Sequence, residues 1–258
     1  MNKDIAEICG ALIGDGWIES RGGSLYICGN KKEDRDYYDK HLIPLFSSTF
    51  HKVVGKDYPY WEVYGFGLHR KNIIEKISNL GIMKGKKVYD VSVPNWIFKD
   101  KKFMVSFLIG IFDTDGGIFC GKSYGRYVRG FRKKYHHDIR LRISSSSLRL
   151  IKGIERIGKK LSIEFTKIRL KKGNPNSKKS KGDAYIIELN KNSEIVRWFS
   201  EMHLSRNFKH ISKYLIWKRY GFCPPNTTIE DRKKILKSIK SPYSYYAGMP
   251  EWSNGTEI

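Results

Sequence analysis

FLIGIFDTDGGIF, residues 107–119, is the stretch that decides the fold. An apolar helical run with Gly110 in its middle ends on Asp113, Asp115 and a glycine pair, in a chain whose formal net charge is +23. The stretch has a second copy. Residues 8–18 read ICGALIGDGWI where residues 108–118 read LIGIFDTDGGI, so that Gly10 aligns with Gly110, Asp15 with Asp115, Gly16 with Gly116 and Ile18 with Ile118. The offset is a constant 100 residues, which predicts a duplicated architecture.

Downstream of each copy the same elements recur in the same order. In the first half SLYICG (24–29) predicts a strand and EDRDYYDKHLIPLF (33–46) a helix. A Tyr/Trp-rich strand pair then ends near YWEVYGFGL (60–68), and KNIIEKISNLG (71–81) predicts a helix closed by Gly81. In the second half DIRLRIS (138–144) is the strand and LRLIKGIERIGKKL (148–161) the helix; EFTKIRLKK (164–172) and AYIIELN (184–190) form the strand pair, and SEIVRWFSEMHL (193–204) closes the unit. The expected class is α+β, two αββαββα repeats related by a pseudo-twofold axis. Pro94 interrupts VSVPNWIFKDKKF (91–103), and Asp100 there is a candidate cap for the second motif helix. The expected organisation is a first repeat over 1–92, a linker over 93–99, a second repeat over 100–222 and a C-terminal extension over 223–258. The extension should hold a short helix opened by a capping box, Thr227 to Glu230.

Composition bounds the function. Forty-nine Lys and Arg stand against 26 Asp and Glu, which makes a polyanion, nucleic acid above all, the expected partner. There is no early leader pattern and no run near the ~20 apolar residues of a membrane span, so a soluble, intracellular protein without membrane contact is expected. Cys9, Cys28, Cys120 and Cys223 form no C-x-x-C pair, which signals neither zinc nor a disulfide framework.

Gly10 and Gly14 in one copy, and Gly110 and Thr114 in the other, put small residues four apart on one helix face, the spacing that lets two helix backbones approach closely. Packing the copies on each other brings Asp15 and Asp115 together at two helix C-termini, where partial negative charge adds to their own. A cation is then required, and a Lys could supply it. Two carboxylates with the terminal carbonyls of Gly14 and Thr114 form an all-oxygen set suited to Mg2+ or Ca2+, and a phosphodiester drawn in by basic residues would be the target of metal-assisted hydrolysis. The competing explanation makes each Asp-Gly pair a helix terminator, with a solvated Asp and a left-handed Gly. An EF-hand is excluded because DTDGG lacks the third ligand of that loop.

ICGALIGDG (8–16) and LIGIFDTDG (108–116) resemble the two signature helices of the LAGLIDADG homing endonucleases in their single-chain form, and the lead-in 93–118 and the segment 213–225 are similar to family segments, the latter found in some archaeal members. The resemblance implies a monomer that cuts both strands of a long, non-palindromic duplex DNA site across the minor groove, leaving 3′ overhangs. It implies Asp15 and Asp115 as catalytic metal ligands. It also implies Mg2+ as cofactor, with Mn2+ tolerated and Ca2+ bound without cleavage. A basic residue near the end of the second strand assists in many members. Lys32, or Lys31 beside it, stands there in the first half, while SSSS (144–147) departs from the pattern in the second, leaving Lys122 or Lys167 as substitutes.

The family's antiparallel saddles read the major groove. In DIRLRIS and TKIRLKK the apolar residues alternate with Arg140 and Arg142, and with Lys167, Arg169 and Lys171, so strand parity puts these cations on the DNA face. The basic loop 122–137, with Lys122, Arg126, Arg129 and Arg132, is expected to track phosphates. Tyr26, Asn30, Lys31, Tyr64, His69 and Arg70 are the corresponding candidates of the first half. His136 and His137 are expected as DNA contacts or inert, and Trp96, Trp198 and Trp217 as core. The alternative on the same fold is a splicing maturase, which would bind RNA, or a repressor without nuclease activity. An intein-borne form is disfavoured because the sequence starts at Met1 and ends at Thr256-Glu257-Ile258, without splicing residues.

Overall fold

The computed structural model describes residues 1–86, 89–123, 136–174, 182–224 and 226–238, with the main chain alone for 121–123 and 136–138. The first half runs α1 (Lys3–Gly14), β1 (Gly16–Ile18), β2 (Leu25–Asn30), α2 (Arg35–Tyr37), α3 (Ile43–Thr49), β3 (Lys56–Tyr58), β4 (Val63–Leu68) and α4 (Lys71–Ser78). A π-helical turn, Tyr38–Leu42, joins α2 to α3 into one bent helix. There the Ile43 N–H reaches back five residues to the Tyr38 carbonyl, just before Pro44, which has no N–H to donate.

The second half repeats the plan with α5 (Lys101–Asp115), β5 (Gly116–Ser123), β6 (His136–Ser145), α6 (Leu148–Lys160), β7 (Arg169–Lys171), β8 (Ala184–Leu189) and α7 (Asn192–Val196). Two more helices, α8 (Phe208–Tyr220) and α9 (Ile229–Lys237), come after them. Asp100 caps α5 as its position predicts, its carboxylate accepting from the Lys102 N–H at 2.8 Å. Each half folds one antiparallel sheet, and the orders β1-β2-β4-β3 and β5-β6-β8-β7 are the same. The α+β repeat read from the sequence is therefore present. Among the described residues no helix is long and apolar enough to cross a membrane.

Strand parity sets the layers. Leu25, Ile27, Phe66 and Leu68 in one sheet, and Ile118, Ile139, Leu141, Ile143 and Ile187 in the other, are buried against the helices. Each such side chain contributes about 1.5–3 kcal/mol by leaving water. Trp198 is fully buried as expected, with Trp96 and Trp217 packed on the edge of the same core.

The seam between α1 and α5 is close because its glycines leave no room for a side chain. A Cβ on Gly10 would lie 2.3 Å from the Phe107 carbonyl oxygen, and one on Gly110 would lie 2.0 Å from that of Glu7. A Cβ on Gly14 would meet Thr114 Oγ1 at 2.1 Å. The small-residue strips thus pack backbone on backbone, Gly10 and Gly14 against Gly110 and Thr114.

Two sequence expectations need correction, and the competing helix-terminator explanation fails on its left-handed glycine. Gly116 comes after Asp115 with φ −79° and ψ 167°, extended and not left-handed. It is glycine because a Cβ would sit 2.4 Å from the Phe112 carbonyl oxygen as the chain folds back beside its own helix. The strand expected over 164–172 shrinks to β7, because Phe165 turns inward to pack on Gly158 and Trp198; Leu170 is then 43% exposed and does not join the apolar layer. The capping box lies one residue later than expected. Thr228 and Asp231 exchange the two capping bonds, while the Thr227 hydroxyl donates to the Pro224 carbonyl.

Candidate functional site

Asp15 caps α1 at its C-terminus and Asp115 is the last residue of α5. The geometry of Gly14 brings them together: a Cβ built there would lie 3.4 Å from Asp115 Cγ. Gly29 on β2 makes a similar space on the other side, where a Cβ would come within 3.1 Å of Asp15 Oδ2 and 3.0 Å of Asp34 Oδ2. Asp15 is half-buried, and Tyr38 donates its hydroxyl to Asp15 Oδ2 at 3.2 Å. Burial first, then the charges of Asp115 and Asp34, push the Asp15 carboxyl up to about 7. Lys209 and the Tyr38 hydroxyl act in the opposite sense without cancelling the rise.

These residues fit a divalent cation. The charge of Asp115 acts on Asp15, so the two carboxylates converge, and the donors they offer are all oxygens. Asp15 and Asp115 would hold the ion, with main-chain oxygens of Gly14 and Thr114 at the helix ends as further donors. The Thr114 hydroxyl is already committed, donating to the Gly110 carbonyl at 2.8 Å. Among the described residues no three His, Cys, Asp or Glu side chains form a metal cluster. Two carboxylates with a phosphate oxygen and water would thus complete the coordination.

Asp113, two residues before Asp115, has a different task. It is 1% exposed, and its carboxylate accepts from the Ser205 hydroxyl and from the Arg206 N–H at 2.6 Å. Asn207 Nδ2 donates to the Asp113 carbonyl at 3.0 Å and to Asp34 Oδ1 at 2.8 Å. The motif helix therefore grips the start of α8 and sets Lys209 one residue pair further on. Lys209 Nζ lies 2.7 Å from Asp34 Oδ1 and is the cation whose charge acts on Asp15. Lys209 was not legible as a site residue: it stands 94 positions beyond Asp115, in a segment with no motif of its own.

The other expected residues divide. Lys32 is exposed on the β2–α2 turn, its N–H bound to Asn30 Oδ1 at 2.9 Å. Asn30 uses that oxygen to hold the turn, accepting from Glu33 as well. Lys31 pairs with Asp57 at 3.3 Å. Tyr26 lies on the outer face of the first sheet, stacked on Trp17 with ring centroids 5.9 Å apart, and His69 packs edge-on against it. Arg70 is exposed just before α4. Tyr64 is a correction. It is 5% exposed beneath the sheet, its hydroxyl bound to Asp39 and the Arg35 guanidinium 4.5 Å above its ring, because parity turns Tyr64, Phe66 and Leu68 inward together.

On the second sheet Arg142 pairs across to Glu188, donating from Nε at 2.7 Å, and Arg169 reaches the same carboxylate at 3.0 Å. The Arg142 guanidinium also lies 4.4 Å over the Phe119 ring. Both arginines thus occupy the outer face with their planes fixed by Glu188, a residue that no sequence motif singles out. Arg140, Lys167 and Lys171 are exposed. Lys122, His136 and His137 belong to β5 and β6 by main chain only, and Arg126, Arg129 and Arg132 lie outside the described residues.

No family model matches the sequence, and no curated protein is significantly similar to it. Solved structures match in shape. I-LtrWI, a LAGLIDADG homing endonuclease bound to target DNA, is 13% identical with a TM-score of 0.53, over 84% of this chain and 89% of that one. The meganuclease I-SmaMI bound to uncleaveable DNA is 10% identical with a TM-score of 0.51, over 83% and 89%. I-DmoI in complex with DNA and Ca is 12% identical with a TM-score of 0.50, over 80% and 93%. The class this architecture defines is the LAGLIDADG fold. Similarity at these identities establishes the arrangement of helices and sheets, as the twin signature helices implied.

Proposed function

We propose that the chain is a site-specific endonuclease that hydrolyses one phosphodiester in each strand of a duplex DNA laid across its two sheets. The observation that carries this reading is the meeting of Asp15 and Asp115 at the foot of the α1–α5 seam, between sheets whose outer faces carry aromatic and basic residues. A bound Mg2+ or Mn2+ would supply Lewis-acid stabilisation of charge growing on the phosphate. The chain's own part is positional. The seam fixes the carboxylates, Tyr38 orients Asp15, and Lys209 stands beside them where an anionic phosphate would lie. The halves carry different outer-face residues, Trp17, Tyr26 and His69 against Phe119, Arg140, Arg142 and Arg169, so the target is non-palindromic. Cuts across the minor groove with 3′ overhangs complete the proposal. Selection for cleavage from a randomised duplex library with Mg2+ and Mn2+ is expected to return one long asymmetric site; an unenriched pool with a DNA-retaining protein would reject the activity.

A non-catalytic binding protein, including a maturase acting on RNA, is the second reading. It is favoured by Lys209 as an internal counter-cation to Asp15 and Asp34. Against it, Lys209 is paired with Asp34, and its charge does not cancel the repulsion that Asp115 and Asp34 add to burial at Asp15.

The Arg142–Glu188–Arg169 cluster gives a separate test of the DNA face. Glu188→Gln removes a charge-assisted acceptor from two arginines, worth about 1.5–3 kcal/mol per bond. The expected result is a lower Tm, tighter binding to random-sequence duplex at low salt, and weaker discrimination between cognate and random DNA. Unchanged discrimination would assign the cluster to stability alone.

A further inference from the structure

α8 carries Lys209 and Lys213 four positions apart, on one face of the helix, and Arg232 of α9 comes in beside them. With Asn30, Asn226 and Thr227 they line a cavity of about 580 Å³ that also reaches β5. The charges in it do not balance. Glu33 is taken by Arg232, whose Nη2 donates to it at 2.7 Å while Nε binds Ser212 and Nη1 the Thr227 carbonyl. Lys209 is taken by Asp34. Lys213 is left half-buried in the cavity, with no hydrogen bond or ion pair among the described residues. Burial, and Arg232 nearby, hold its ammonium below the usual lysine range. Glu33, already paired with Arg232, offsets this only in part, and an anion in the cavity would add to that compensation.

We propose that this cavity is an anion subsite in which Lys213, backed by Lys209, takes a phosphate of the DNA strand that runs past the acid pair. The position argues for a strand phosphate over a free anion. Lys209 acts on Asp15, and Lys213 lies about one helical turn beyond it, ~5.4 Å along the axis. A phosphate at Lys213 is therefore a near neighbour of one at the carboxylates. On this view α8 and α9 complete the site with helices that have no counterpart in the first half. The identity of the ligand rests on the endonuclease reading; the binding of an anion does not.

The test uses the full-length chain without metal, with inorganic phosphate and a mixed-sequence duplex as probes. Wild type is compared with Lys213→Met, with Lys213→Arg, and with Lys160→Met at the exposed end of α6 as control. Phosphate is expected to raise the Tm of wild type, Lys213→Arg and Lys160→Met, but not of Lys213→Met. The slope of log affinity for duplex against log salt is expected to lose about 0.9, one phosphate contact, in Lys213→Met alone. Both responses intact in Lys213→Met would overturn the subsite. Loss of the phosphate response with an unchanged duplex slope would overturn its assignment to DNA. Should wild type cleave no duplex while Lys213→Met still loses the slope, the subsite stands and the endonuclease reading falls.

Discussion

Gly110→Leu is expected to abolish the folded two-sheet protein. The Cβ alone would lie 2.0 Å from the Glu7 carbonyl oxygen and 2.7 Å from the Ala11 nitrogen, both main-chain atoms of the facing helix. Neither can swing aside as a side chain would. Relief requires α1 and α5 to separate, which opens Phe107, Leu108, Ile111 and Phe112, all fully buried, along the seam. Overpacking of this kind ordinarily costs about 1–3 kcal/mol, but with backbone on both sides the loss should exceed about 5 kcal/mol. Helix propensity works the other way, since Leu is better than Gly by somewhat under 1 kcal/mol, so destabilisation can only come from the contact. Gly182→Ala, whose Cβ would meet nothing nearer than the Tyr89 hydroxyl at 3.9 Å, serves as the control and should unfold like wild type. A Gly110→Leu chain with wild-type Tm would mean that the helices do not touch as described.

The seam was legible because its evidence is local and doubled. Gly10, Gly14 and Asp15 recur as Gly110, Thr114 and Asp115, and a strip of small residues beside an acid has few uses in a helix. The order of elements came from periodicity for the same reason. Tyr64 was misplaced although VYGFGL alternates cleanly. It stood among the first-half candidates for the DNA face, whereas the glycines at 65 and 67 occupy that face and Tyr64 buries its ring with Phe66. Lys209, Asp34 and Glu188 were missed for a different reason. Asp34 meets Asn207 across 173 positions, and Arg142 meets Glu188 only through the β6–β8 register. Such partners are fixed by topology, and no short pattern marks them. The capping box slipped by one residue because Thr227 and Thr228 are adjacent and both chemically suited, and only the backbone decides which caps.

Asp15→Asn and Asp115→Asn are each expected to reduce double-strand cleavage by at least about 10³-fold in Mg2+ or Mn2+, with duplex binding kept or tightened. The size comes from the arrangement: with two carboxylates at the seam, neutralising either leaves one acid where two are needed to hold a dication. Asn keeps the shape and the capping position at the end of the helix, so a folding defect is not the expected cause. The metal-free protein supplies an independent check. The Asp15 carboxyl lies near 7 in the folded chain and at 3.8 as its ordinary value, so between those pH values the folded state holds a proton that the unfolded state has released. Its stabilising contribution is complete below about 3.8 and is lost as pH rises through 7, by up to about 1.4 kcal/mol per unit. Metal-free wild type should therefore lose Tm between roughly pH 4 and 7, and Mg2+ should restore it. Asp15→Asn carries no titrating group at that position, so it should be flatter over this window and more stable at pH 8 without metal. An inactive variant that outlasts its parent is the signature of acids kept together for chemistry against their own repulsion. A variant that cleaves within tenfold of wild type, or one that melts lower at every pH, would reduce Asp15 to a helix cap.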